Sequence, residues 1–160
     1  MNRYAPPLHE LEQIKRPKGA PANWGYCGIA AMSAATSISP LELFRSIPDW
    51  RGYTPSRMVI KTLERFGYGV ERRVVPKENQ RRWPFQLHLS RIALGRVYFS
   101  DGKYADSHWI CFYWEPPDYM PFLFDNRFLE GRWRHTFLLG FYPEPARLKS
   151  LYFVVPLGDK

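Results

Sequence analysis

The chain has 160 residues, a length that suits one domain. Hydrophobic residues make up 45% and aromatics 17%, so a core can form without disulfide or metal staples; 15 prolines and 11 glycines mark turns, not disorder, because apolar residues stay interleaved throughout. The formal net charge of +8 favours acidic partners, but the basic residues are scattered, as on a solubilising surface; the densest groups, Arg72-Arg73, Arg81-Arg82 and Arg127 to Arg134, form no continuous basic helix and no known nucleic-acid motif.

Residues 1–22 are rich in Pro, Lys and Glu and read as an extended arm, with a helical turn at Leu8 to Ile14. Asn23-Trp24-Gly25-Tyr26 is a turn. A helix follows from Cys27 to Ser37, and its small side chains let neighbours approach all round, as in a central buried helix. Ser39 as N-cap and Pro40 at the first position start a second helix, to about Phe44. Residues 52–67 give the clearest helix signal. Thr54 is the expected N-cap, Pro55 the first helical residue, and Gly67 the residue past the end.

Period-two patterning then takes over. Strands are expected at Tyr68 to Val75, Arg96 to Phe99, His108 to Trp114, Pro121 to Asp125, Phe137 to Tyr142 and Leu151 to Val155, with a short helix at Pro84 to Leu94. Helices first and strands after predict an α+β domain: a helical layer on an antiparallel sheet, over residues 23–160. The N-terminus shows no charged-then-apolar signal pattern, and no apolar run approaches the ~18 residues needed to span a bilayer. A reducing, cytoplasmic setting is expected, with Cys27 and Cys111 both free.

A nucleophilic thiol must ionise near neutral pH. The start of a helix helps, because its unpaired N–H groups and dipole favour the thiolate. Cys27 stands at such a start, and Gly28 lets another group come close to the backbone. The thiol also needs a base, and the base an orienting group. His108 opens a strand whose alternation puts Ile110 and Phe112 on its own face and Trp109, Cys111 and Tyr113 on the other. Cys111 therefore points away from His108. Asp125, at the end of the next strand, is expected to accept Nδ1–H from His108; Asn126 is the fallback and Asp106 the local rival. His9, His88 and His135 are placed in the arm, a helix and a basic loop, and make poorer bases. The Cys27 N–H and the Asn23 amide are candidate oxyanion donors, although Asn23 caps the helix equally well. No CxxC, HExxH or paired-His spacing calls for a metal or cofactor.

Asn23 before Cys27-Gly28, then Gly52-Tyr53-Thr54-Pro55 through Gly67-Tyr68, Gly95-Arg96-Val97, His108-Trp109-Ile110 and Phe124-Asp125-Asn126, together resemble the papain-like cysteine peptidase superfamily. The likeness is to its small bacterial and phage members, including domains that cleave bacteriocin leaders after a double glycine. It covers roughly residues 23–126 and rests on the order of Cys, His and Asp. It implies a papain-like fold, with Cys27 as nucleophile, His108 as base, Asp125 as orienter and Asn23 in the oxyanion hole. The family usually carries a glutamine further upstream of the cysteine than Asn23 stands from Cys27. The activity implied is hydrolysis of a peptide or isopeptide bond through an acyl-enzyme, or transfer of the acyl group to an amine. The alternative is a papain-like scaffold without catalysis that binds an acidic protein or nucleic acid. Exposed aromatics among Arg127, Arg132 and Arg134 would serve such a role.

Overall fold

The computed structural model describes residues 27–47, 54–80, 92–98, 107–115, 120–125, 132–135 and 147–157. The expected arm, the turn containing Asn23, the helix start at Pro84 and the strand Phe137 to Tyr142 lie outside them, as do Asp106 and Asn126.

Among the described residues three helices come first: α1 (Cys27–Thr36), α2 (Pro40–Ser46) and α3 (Ser56–Arg65). α1 is buried all round, because Ala30, Ala31, Ala34 and Ala35 keep every side of it thin. Its two interior hydroxyls bond within the chain, Ser33 Oγ to the Ile38 carbonyl at 2.6 Å and Thr36 Oγ1 to the Met32 carbonyl at 2.7 Å. Ser37, in the left-handed region at φ 65°, turns the chain out of the helix. α2 begins as expected: the Ser39 hydroxyl accepts the Glu42 N–H at 3.2 Å and Pro40 follows. α3 is amphipathic, with Val59, Thr62 and Leu63 buried and its charged residues outside. Its ending is as expected too, since Gly67 takes φ 87° and donates to the Glu64 carbonyl.

Its beginning is a correction. Pro55, not Thr54, is the cap residue, and no side chain caps this helix. The Thr54 side chain is buried against Gly28 instead.

Among the described residues six strands form one antiparallel sheet in the order β1-β6-β2-β3-β4-β5. They are β1 (Tyr68–Val74), β2 (Ile92–Tyr98), β3 (Ser107–Glu115), β4 (Met120–Asp125), β5 (Arg132–His135) and β6 (Arg147–Pro156). β6 returns to lie between β1 and β2, with a bulge opposite Arg96 and Val97. A helix reaching Leu94 does not form: Ile92, Ala93 and Leu94 already belong to β2, buried between β3 and β6. A central strand buried on both faces reads as an apolar run, and period alone does not separate that from a helix. Arg132–His135 is a strand paired with β4, not a loop.

The strand alternation in β3 sorts its side chains between two cores. Trp109, Cys111 and Tyr113 join α1 and α3 in the helix-side core, while Ile110, Phe112 and Trp114 join Leu123, Leu151 and Phe153 on the other face. The arrangement is α+β: helices packed on an antiparallel sheet.

Candidate active site

The site stands where the start of α1 comes level with the first residues of β3. Cys27 is the first residue of α1 and only partly buried. Its sulfur is in hydrogen-bond reach of the His108 ring and of the backbone N–H groups of Trp109 and Gly28. Burial by itself pushes the thiol pKa up. The hydrogen bond and charge of His108, with the two backbone N–H groups, outweigh it and hold the thiol below its ordinary value.

His108, 5% exposed, is the second residue of β3. Its Nε2 lies 2.9 Å from Oδ1 of Asp125, which is fully buried at the end of β4. In the ladder Cys111 faces Phe124, so Asp125 sits diagonally across from His108, on the same side of the sheet. Burial disfavours the imidazolium. The hydrogen bonds and charges of Asp125 and Cys27 reverse that and raise the His108 pKa from 6.5 to about 9. The expectation that Asp125 takes Nδ1–H is corrected: the ring is turned the other way, Nε2–H donates to the carboxylate, and Nδ1 is left for the thiol. This selects the Nε2–H tautomer, with a lone pair on the sulfur side.

Cys27, His108 and Asp125 are thus brought together, and Asn23 lies outside the described residues. Cys111 is fully buried in the helix-side core, where burial raises its pKa well above the ordinary value. Cys27 and Cys111 are both free thiols. Among the described residues no group of three or more His, Cys, Asp or Glu gathers as a metal site. No single helix among them is long and apolar enough to cross a membrane.

Two neighbours were not legible as parts of the site. An added Cβ at Gly28 would stand 2.6 Å from Thr54 Cβ, so only glycine lets Thr54 rest on the first turn of α1. The Thr54 carbonyl in turn accepts the Trp109 Nε1–H at 2.8 Å. Thr54 therefore ties the start of α1 to β3, fixing the distance over which Cys27 meets His108. The Trp109 contribution is a backbone N–H, which carries no side-chain signal in a sequence.

No family model matches the sequence, and no curated protein matches it. Among solved structures, the chain is similar to the peptidase domain of Streptococcus ComA, a bifunctional ABC transporter involved in a quorum-sensing pathway. The TM-score is 0.56 at 11% identity, over 93% of this chain and 98% of that one. The α+β layout, helices on an antiparallel sheet, is therefore similar to the fold of that peptidase domain.

Proposed function

We propose that this chain is a cysteine hydrolase that cleaves a peptide or isopeptide bond. The observation that supports this reading is the hydrogen-bonded series Cys27, His108, Asp125 at the start of a buried helix. In this reading the thiol, held below its ordinary pKa, and the imidazole, raised to about 9, share their proton as a thiolate–imidazolium pair.

In this reading the Cys27 thiolate attacks the substrate carbonyl and a C–S bond forms. The oxyanion is met by the Cys27 N–H, one of the donors in the first turn of α1 that has no partner within the helix, and by the Asn23 amide. The His108 imidazolium passes its proton to the leaving amine, the C–N bond breaks, and a thioester remains. Neutral His108 then takes a proton from water, whose oxygen displaces the sulfur, and the ion pair is restored. An amine in place of that water would give acyl transfer through the same steps. Asp125 stays ionised and holds the ring in the tautomer that these steps need.

Turnover of p-nitrophenyl acetate tests the chemistry without a known substrate. Acetylated Cys27 should appear in the mass spectrum with release of nitrophenolate, and should decay by hydrolysis. Loss of both in Cys27→Ala and in His108→Ala supports the reading; acetylation that ignores His108 contradicts it. We further propose that residues 23–160 form one domain and residues 1–22 an arm on it, so that a chain lacking 1–22 keeps its cooperative unfolding.

A further inference from the structure

The sheet end where His108 meets Cys27 also carries positive charge that no carboxylate among the described residues neutralises. Arg96 on β2 lies across the ladder from Trp109, with its guanidinium 5.4 Å from the Trp109 ring and 5.8 Å from the Tyr98 ring. Nη1 donates to the Ser56 hydroxyl at 2.8 Å, and Nε is buried without an acceptor. Arg72 lies over the Tyr152 ring at 5.9 Å and reaches the Ser150 hydroxyl at 3.4 Å. Lys149, at the bulge, sits over Tyr98 at 4.7 Å. Among the described residues no carboxylate pairs with any of the three.

The hydroxyls show the same surplus. Ser56 and Tyr152 are joined by one hydrogen bond of 2.8 Å while Ser56 also accepts from Arg96. Two hydroxyl protons and one bond between them leave one proton with no acceptor among the described residues. Cations stacked on rings and hydroxyls filled by donors make a corner rich in donors and positive charge, which complements an oxyanion. Its planar guanidinium suits a carboxylate. It adjoins the reaction centre through a single residue: the backbone N–H of Trp109 meets the Cys27 sulfur, and the ring of Trp109 carries Arg96.

We propose that this corner is a specificity subsite for an Asp or Glu side chain of the substrate, close to the bond that Cys27 attacks, with Arg96 and the Ser56–Tyr152 hydroxyls as its contacts and Arg72 and Lys149 as longer-range attraction. The proposal rests on Cys27 as the nucleophile and names what the substrate carries beside the scissile bond.

Iodoacetyl-capped tripeptides differing only in Glu for Gln at one position are the probes, with Cys27 labelling followed by mass spectrometry. The Glu probe should label wild-type protein about threefold faster or more, the size expected of one partly exposed ion pair. High salt should shrink that advantage. The Glu-to-Gln rate ratio within each protein is the readout, so changes in thiol reactivity cancel. It should fall to about one in Arg96→Gln and fall partway in Arg72→Gln and Lys149→Gln. A ratio of one in wild type at every probe position, or a preference that survives these substitutions, overturns the proposal. Failure of neutral iodoacetamide to label Cys27 would instead sink the nucleophile reading. The subsite is then read without the thiol, by titrating Cys27→Ala with glutarate or neutral glutaramide and following the Arg96 Nε–H NMR signal, identified by its loss in Arg96→Gln. A saturating shift with glutarate alone supports the site, and no shift with either ligand overturns it.

Discussion

Replacing Asp125 by Asn keeps the shape and an acceptor oxygen 2.9 Å from His108 Nε2 while removing the charge. The rise of the His108 pKa from 6.5 to about 9 amounts to about 3 kcal/mol in favour of the imidazolium, shared between Asp125 and Cys27. Half of that share lost would move the alkaline limb of p-nitrophenyl acetate hydrolysis down by about one pKa unit. The imidazolium would still be mostly populated at pH 6 to 7, so alkylation of Cys27 there should change by less than about twofold. Stability carries a second signature. A group whose pKa is raised on folding contributes fully below its unfolded value and loses that contribution as pH climbs through the folded one. His108 therefore stabilises the protein below about 6.5 and stops doing so near 9. In Asp125→Asn this dependence weakens, because above pH 9 the wild-type carboxylate is left buried without its cation. Urea unfolding from pH 6 to 9.5 should show the gap between the two proteins largest at the acid end and closing towards the alkaline end. A gap that stays constant over that range, with an unmoved alkaline limb, would refute the account of His108.

Gly28→Ala should cost about 1–3 kcal/mol in urea unfolding by overpacking, because the new Cβ would stand 2.6 Å from Thr54 Cβ and 2.8 Å from Oγ1. It should also slow Cys27 alkylation, and Thr54→Gly in the same chain should recover part of both. Gly95→Ala should be similarly destabilising, since its Cβ would meet Phe112 Cε2 at 2.5 Å and Leu148 Cδ1 at 2.9 Å. Cys111 should stay unlabelled in native protein up to pH 9, because it is fully buried and its pKa is raised; labelling should follow only on unfolding. Hydrolysis of p-nitrophenyl acetate should be bell-shaped in pH, rising as Cys27 ionises below its ordinary value and falling near 9 as His108 loses its proton.

The positions that make up the candidate site were more legible than the frame around them. Cys27 at a helix start, His108 at a strand start and Asp125 at a strand end are local features, and alternation in β3 correctly sent Cys111 away from His108. The Ser39-Pro40 start of α2 and the Gly67 end of α3 were legible for the same reason, because caps depend on neighbouring residues. Thr54 was misread because a threonine before Pro reads as a cap whether or not it has a tertiary partner, and here Gly28 and Trp109 claim it. Ile92 to Leu94 was misread because burial on both faces erases the period of a strand. The place of β6 between β1 and β2 is set by pairing between distant segments, which no local pattern encodes. The ring orientation of His108 was likewise beyond the sequence, since either nitrogen fits a rule that asks only for an orienting carboxylate.

The central claim, that Cys27 and His108 form an ion pair, is tested most directly by iodoacetamide labelling of native protein from pH 5 to 9, read at Cys27 and Cys111 separately. The account predicts that Cys27 reacts well below the pH of a free thiol, near ~8.5, and that His108→Ala removes the advantage. A Cys27 that is inert, or that titrates like a free thiol in both proteins, would contradict it.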